Sequence, residues 1–194
     1  MSAAKIQLNF VLTLIISGIV CSWALILKKP DHATLRAETE ETVIMKTEVP
    51  GINDWHGYQD DMDAHYAFKV FFGKTLAEMQ PWFRQSVIER TDELRFMPTK
   101  AFQYYIFALR DYIIEKNYSE DDDDCAVDCL FNLVQQKINS DPGAILPVID
   151  ELIPALHVIA ANVAMYNINM DIYGSIPQRL QLLLQSYQQL HLPS

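Results

Sequence analysis

The feature that most constrains this chain is an almost unbroken apolar run from Ile6 to Leu27. A helix that crosses the hydrocarbon core of a bilayer needs about 20 apolar residues, each adding roughly 1.5 Å. The run meets that length, and basic residues bracket it at Lys5 and at Lys28–Lys29. Long basic side chains keep their ammonium groups in water while their stems lie in lipid. The run therefore predicts a single-pass membrane anchor over residues 1–29.

A cleaved signal peptide is the alternative interpretation of this segment. Ser22-Trp23-Ala24 fits the small-x-small pattern of a cleavage site. However, Leu25-Ile26-Leu27 continues the apolar run beyond that site. The apolar part of a signal peptide is usually only about 7–15 residues long. We therefore expect the segment to be retained.

The basic residues around the run also bear on its orientation. Cytoplasmic flanks of membrane helices are enriched in Lys and Arg. Lys5 precedes the run, whereas Lys28, Lys29 and, further out, Arg36 follow it. This small excess favours a cytoplasmic C-terminal domain.

One face of the apolar run carries small and weakly polar side chains. Its members are Asn9, Thr13, Ser17, Gly18 and Cys21. Small residues let membrane helices approach closely, and hydroxyl or amide groups hydrogen-bond across the contact. The pattern favours a helix–helix interface, either in a homo-oligomer or with another membrane protein. The alternative is chance, since Ser, Thr and Gly are common in membrane helices.

The part of the chain after the anchor is strongly acidic. Three of the 15 Lys and Arg residues flank the apolar run, so the part from Pro30 onward has 12 of them against all 25 Asp and Glu. Such a surface repels the phosphates of nucleic acids and disfavours adsorption to anionic lipid. We therefore expect no nucleic-acid partner, and we expect a protein partner that is itself basic.

The same part of the chain is predicted to be helical. Residues 30 to about 50 are polar and show little periodicity, and Pro50-Gly51 predicts a turn, so we expect a linker over residues 30–55. From residue 56 onward, apolar residues recur at helical spacing and no alternating strand pattern occurs. The prediction is an all-α protein with an N-terminal transmembrane helix, a linker, and one compact acidic domain of five to seven helices over residues 56–194.

Local signals predict where several helices begin and end. Thr75-x-x-Glu78 is a capping-box pattern that opens a helix running to Phe96. The spacing of apolar residues predicts an amphipathic helix over Lys100–Lys116. Pro147 and Pro154 predict a kink or two short helices in place of one straight helix.

A group of imidazole and carboxylate side chains suggests a metal site. His56, Asp61 and His65 lie within ten residues, and Asp61 and His65 share a helix face because they are four apart. Such side chains can bind a divalent cation. The simpler interpretation is a helix N-terminus enriched in acids, which the helix dipole favours.

A second acidic cluster consists of Asp121, Asp122, Asp123 and Asp124. The cluster lacks the alternating ligands and the glycine of a calcium-binding EF-hand loop. It is best explained as a charged loop that stabilises the N-terminus of the next helix. The alternative is a docking patch for a basic partner.

These patterns together predict a non-enzymatic protein-interaction module that is tethered to the lipid bilayer. The anchor would raise the local concentration of the domain near its partners. No cofactor is expected. Two alternatives stay open: a metal-binding or metal-dependent enzyme domain, and a structural subunit of a membrane complex held by the transmembrane helix.

Overall fold

A computed structural model describes residues 48–116, 123–166 and 168–190, with the backbone alone at residues 123 and 124. Within these ranges the chain forms helices and no β-strand, and seven of the helices have ten residues or more. The prediction of an all-α domain of five to seven helices is confirmed for this part of the chain. The predicted anchor and its face of small residues lie outside the described residues.

Eight α-helices and two short 3-10 helices make up the described structure. The α-helices are α1 (Met62–Phe71), α2 (Leu76–Gln85), α3 (Val87–Phe96), α4 (Thr99–Ile114), α5 (Asp123–Ser140), α6 (Pro142–Ala161), α7 (Met170–Tyr173) and α8 (Ile176–Gln189). The 3-10 helices are Ile52–Trp55 and Val163–Tyr166.

Helix α4 lies at the centre of the domain. It packs against α2, α3, α5, α6 and the first 3-10 helix. Every residue from Ala101 to Leu109 is buried. The predicted amphipathic helix is therefore buried on nearly all sides along these two turns. A polar residue, Gln103, is included in this buried segment.

The capping box at the start of α2 is confirmed. The Thr75 hydroxyl accepts a hydrogen bond from the backbone N–H of Glu78 at 3.2 Å, and Glu78 accepts one from the backbone N–H of Thr75 at 2.8 Å. The predicted continuous helix to Phe96 is wrong, because the helix is interrupted at Ser86. Ser86 has an extended backbone (φ −165°) and its hydroxyl caps α3 by accepting from the N–H of Glu89. The break makes α3 a separate helix, which packs against α1 and α5.

The packed structure begins inside the range predicted as linker. Trp55 is fully buried and its ring contacts Phe68, Phe72 and Tyr105, with centroid distances of 5.3, 6.5 and 6.0 Å. The 3-10 helix that ends at this residue is therefore part of the hydrophobic core. Because residues 30–55 are mostly polar, their composition does not indicate that Trp55 packs into the core at this end of the domain.

Two prolines occur inside α6 without dividing it. Of the two predicted alternatives, that of two short helices is wrong, since α6 continues through both Pro147 and Pro154; a kink within α6 stays a prediction. Because proline has no N–H, Pro147 leaves the carbonyl oxygen of Gly143 without its usual helical donor. The side-chain amide of Gln103 donates to this oxygen at 3.4 Å and to the oxygen of Ala144 at 3.2 Å. Gln103 thus partly compensates for the missing backbone donor.

We expect Q103L to lower the free energy of unfolding by about 1 kcal/mol, because the carbonyl oxygens of Gly143 and Ala144 lose a side-chain donor. In the P147A background the restored backbone N–H can bond to Gly143, so the same change should cost about half as much. Urea unfolding of the full chain in detergent micelles, followed by circular dichroism, measures both effects. Q181L, at an exposed glutamine of α8, is the control. Equal costs of Q103L in both backgrounds would contradict this explanation.

Among the described residues, α6 is the one helix long and apolar enough to cross a membrane by length and composition. Seven of its residues are buried within the domain: Ala144, Ile145, Val148, Ile149, Leu152, Leu156 and Ile159. Their side chains pack toward α4, α5 and α8. A core helix of this kind has an apolar composition whether or not a membrane is present.

Candidate functional site

A cleft with a volume of about 360 Å³ lies between α1 and α3. Its walls are formed by Asp63, Tyr66, Glu89, Arg90, Asp92, Glu93 and Phe96. Four of these seven side chains carry a carboxyl group and one carries a guanidinium group. The cleft is therefore a negatively charged concavity on a domain whose sequence is already acidic.

Arg90 and Glu93 form a buried ion pair on one turn of α3. The Arg90 Nε atom is 2.8 Å from Oε2 of Glu93, and only 6% of each side chain is exposed. A terminal nitrogen of Arg90 is 3.1 Å from Oε2 of Glu89, which is largely exposed. The guanidinium carbon also lies 5.9 Å from the centre of the Trp82 ring. Arg90 is thus held by two carboxylates and one aromatic ring.

Glu93 is the most unusual group in the cleft. Neither of its carboxylate oxygens accepts a hydrogen bond from any residue that the structure describes, so its contact with Arg90 is an ion pair alone. Burial is the main cause that raises the pKa of Glu93; the charge of Arg90 lowers this pKa and the charges of Glu89 and Asp92 raise it, and together these effects move the pKa from 4.5 to about 7. A carboxyl group that titrates near neutral pH in a cleft is a candidate functional group.

The rim of the cleft is aromatic. The side chain of Tyr66 on α1 is 56% exposed and that of Phe96 on α3 is 43% exposed. The faces of aromatic rings attract cations, and more strongly so where carboxylates lie nearby. Carboxylates beneath a partly apolar rim suit a cationic group on an alkyl stem, such as the side chain of arginine or lysine. The same carboxylates repel an anion.

The structure gives the residues of the predicted metal site other roles. Asp61 caps α1, because its Oδ1 accepts hydrogen bonds from the N–H groups of Asp63 and Ala64, both at 2.9 Å. The His65 ring stacks on Tyr58 with a centroid distance of 5.7 Å. His56 follows the first 3-10 helix as its C-cap residue. Across the described ranges, no group of three or more His, Cys, Asp or Glu residues could hold a metal ion.

Little of the second acidic cluster is included in the described part of the chain. Asp121 and Asp122 lie outside the described residues, and only the backbone of Asp123 and Asp124 is described, at the start of α5. This position at the start of a helix fits acidic residues that interact with the helix dipole. The docking role of the cluster stays a prediction.

Cys129 on α5 is not equipped to act as a nucleophile. Burial is the main cause that raises the pKa of its thiol to about 12, and the neighbouring Cys125 thiol and the charges of Asp128 and Asp92 add to this effect. Cys129 forms no disulfide bond. The thiolate, which is the reactive form, is therefore scarce at neutral pH.

We expect iodoacetamide to alkylate Cys129 at least about 100-fold more slowly in the folded protein than in urea at pH 8, because the reaction needs the thiolate. Mass spectrometry of tryptic peptides, sampled over time, measures the rate at each cysteine. Similar rates at Cys129 with and without urea would show that the thiol ionises readily in the folded state.

Sequence patterns do not single out the cleft. The stretch Glu89–Glu93 contains five polar residues and resembles a solvated helix surface. One signal is present nevertheless: Arg90 and Thr91 lie at helical spacing between Val87 and Leu94, on the face where apolar residues are expected. All four of these residues are buried. Polar residues on an apolar stripe indicate a buried polar site.

Comparisons of the chain with models of protein families, with curated proteins and with solved structures find no match.

Proposed function

We propose that this chain is a membrane-tethered protein-interaction module, and that the cleft between α1 and α3 binds a basic segment of its partner. The observation that carries this proposal is the composition of the cleft, in which four carboxyl groups accompany one guanidinium group. Arg90 is already engaged by Glu89 and Glu93. Asp63 remains available to attract an incoming positive charge.

The charge of the whole chain supports the same partner. The formal net charge is −10 at pH 7. A field of this sign accelerates the encounter with a positively charged protein and repels acidic ones. The cleft then provides a specific place for contact, since general acidity alone does not orient a partner.

The N-terminal apolar run completes the proposed mechanism. A retained anchor over residues 1–29 would restrict the domain to a thin layer beside the bilayer. Restriction of this kind raises the effective concentration of the domain near partners in or at the same membrane. Weak binding in the cleft would then be sufficient for association. We place the domain on the cytoplasmic side, following the excess of basic residues after the run.

The test uses the full chain in detergent micelles and a pair of fluorescent peptides. One peptide contains three arginines separated by glycines, and the other contains citrulline, the neutral isostere, at the same positions. We expect the arginine peptide to bind at least about tenfold more tightly, and to weaken as NaCl rises from 50 to 500 mM, because screening acts on exposed charges. Equal binding of the two peptides would overturn the proposal.

A matched pair of variants connects this binding to the cleft. Asp63 lines the cleft in the first turn of α1, and Asp171 is an exposed acid in the first turn of α7 that does not line it. D63N and D171N change the net charge equally. We expect D63N to weaken the arginine peptide about fivefold and D171N less than twofold, since the interaction falls with distance. Equal effects would mean that general acidity, and not the cleft, binds the peptide.

A further inference from the structure

We infer that the basic partner inserts one cationic side chain, of arginine or lysine, into the cleft above Glu93, and that this insertion converts Glu93 from the neutral acid to the carboxylate. This inference rests on the proposed function and adds a coupling between partner binding and proton release. Glu93 is then a group of the binding site whose protonation changes when the partner binds.

The geometry around Glu93 is incomplete without another charged group. Its side chain is 6% exposed, and no described residue donates a hydrogen bond to either oxygen. Its single cation, Arg90, is shared with Glu89. Buried carboxylates in folded proteins normally have hydrogen bonds as well as a counter-charge. A second cation in the cleft would add positive charge near this carboxylate without displacing Arg90.

The charged groups around Glu93 are mostly acidic, and the cations beside them on α3 are Arg90 and Arg95, the latter ion-paired with Asp92 at 3.1 Å. Glu89 and Asp92 lie on α3 itself, and Asp63 and Tyr66 face the cleft from α1. The Trp82 ring of α2 lies near Arg90, and the buried residues of α4 are uncharged. On α5, the Cys129 thiol stays protonated and Asp128 is ion-paired with Arg179 at 2.7 Å. An added cation is therefore attracted by Asp63, Glu89 and Glu93 and repelled by Arg90, whereas Asp92 is already paired with Arg95.

The size and rim of the cleft favour a side chain over a larger ligand. A volume of about 360 Å³ lies at the low end of the range for ligand pockets. Tyr66 and Phe96 can pack along an alkyl stem and present ring faces to its charged end. Both carboxylate oxygens of Glu93 are shielded from solvent. The inserted group therefore acts on Glu93 through its charge, at short range in a poorly solvated cleft.

The direction of the pH effect follows from this arrangement. In the free domain the pKa of Glu93 is raised to about 7, chiefly by burial. A nearby positive charge favours the carboxylate and so lowers this pKa. By linkage, the cation binds more tightly where Glu93 is already ionised. If the carboxylate alone binds, affinity rises about tenfold between pH 6 and pH 8.

The experiment measures the affinity of the full chain, in detergent micelles, for a pentapeptide with one central arginine and blocked ends. The citrulline pentapeptide is the neutral control, and D171N is the control variant. At constant ionic strength we expect the arginine peptide to bind about tenfold more tightly at pH 8 than at pH 6. In E93Q the change should be less than twofold. E93Q retains all five histidines of the chain, so it controls for histidine ionisation.

Calorimetry of the unmodified chain gives a second readout that does not depend on the variant. At pH 7 we expect binding to release about half a proton, seen as different heats in phosphate and Tris buffers. No proton release, or full pH dependence in E93Q, would overturn the inference. If the arginine peptide binds more tightly than the citrulline peptide but without pH dependence, only the proton coupling is refuted. If the two peptides bind equally, the proposed function is refuted as well. Tighter binding of spermidine than of the peptide would reassign the cleft to a free polyamine.

Discussion

Replacing Arg90 with methionine should lower the free energy of unfolding by about 3 kcal/mol at pH 8, because Glu93 is left as a buried charge without a partner. At pH 5 the cost should be about 1 kcal/mol, since Glu93 is then protonated and needs no counter-charge. The folded pKa of Glu93 is raised, so its contribution to stability is present below about 4.5 and is lost as pH rises through about 7. Urea unfolding of the full chain in micelles at both pH values measures this difference.

The double variant R90M/E93L provides the control for this prediction. Removing both charges leaves neither group unpaired, so most of the stability lost in R90M at pH 8 should return. In R90M/E93L the difference between pH 5 and pH 8 that arises from Glu93 should also disappear. An equal cost of R90M at both pH values would mean that Glu93 does not ionise in the folded state over this range.

Replacing Trp55 with alanine should lower the free energy of unfolding by about 4 kcal/mol, because a large ring is removed from a fully packed site. The ring is fully buried and meets Phe68, Phe72 and Tyr105. The measurement is again urea unfolding followed by circular dichroism. I52A, in the same 3-10 helix at a side chain that is 54% exposed, should cost less than about 0.5 kcal/mol.

The comparison of W55A with I52A decides where the folded domain begins. The sequence predicts a linker through residue 55, whereas the structure includes Trp55 in the core. A small effect of W55A, similar to that of I52A, would restore the linker interpretation for this segment.

Features that depend on neighbours along the chain were predictable from sequence. The capping box of Thr75 and Glu78 is local, and the structure contains both of its hydrogen bonds. The helical class follows from apolar spacing summed over many residues. The break at Ser86 was missed because apolar residues continue at helical spacing across it, so the pattern has no gap at which to end the helix.

Features that depend on packing between distant segments were not predictable. The polar side chain of Gln103 is buried because α6, some 40 residues further along, presents a carbonyl group that needs a donor. The cleft arises where α1 packs beside α3, and no motif indicates that contact. Glu93 looks like one more charged residue in a polar stretch until its burial is known. The acidic composition predicted a basic partner, but it did not predict where that partner would bind.

The central claim is that the cleft holds an ionisable carboxyl group whose charge responds to a bound cation. The most direct measurement is a pH titration of the ¹³C chemical shift of the Glu93 side-chain carboxyl group in the full chain, with and without the arginine pentapeptide. We expect a midpoint near pH 7 for the free protein, which saturating arginine peptide moves to lower pH and the citrulline peptide leaves unchanged. A midpoint near the ordinary glutamate value, or one that the arginine peptide leaves in place, would contradict the central claim.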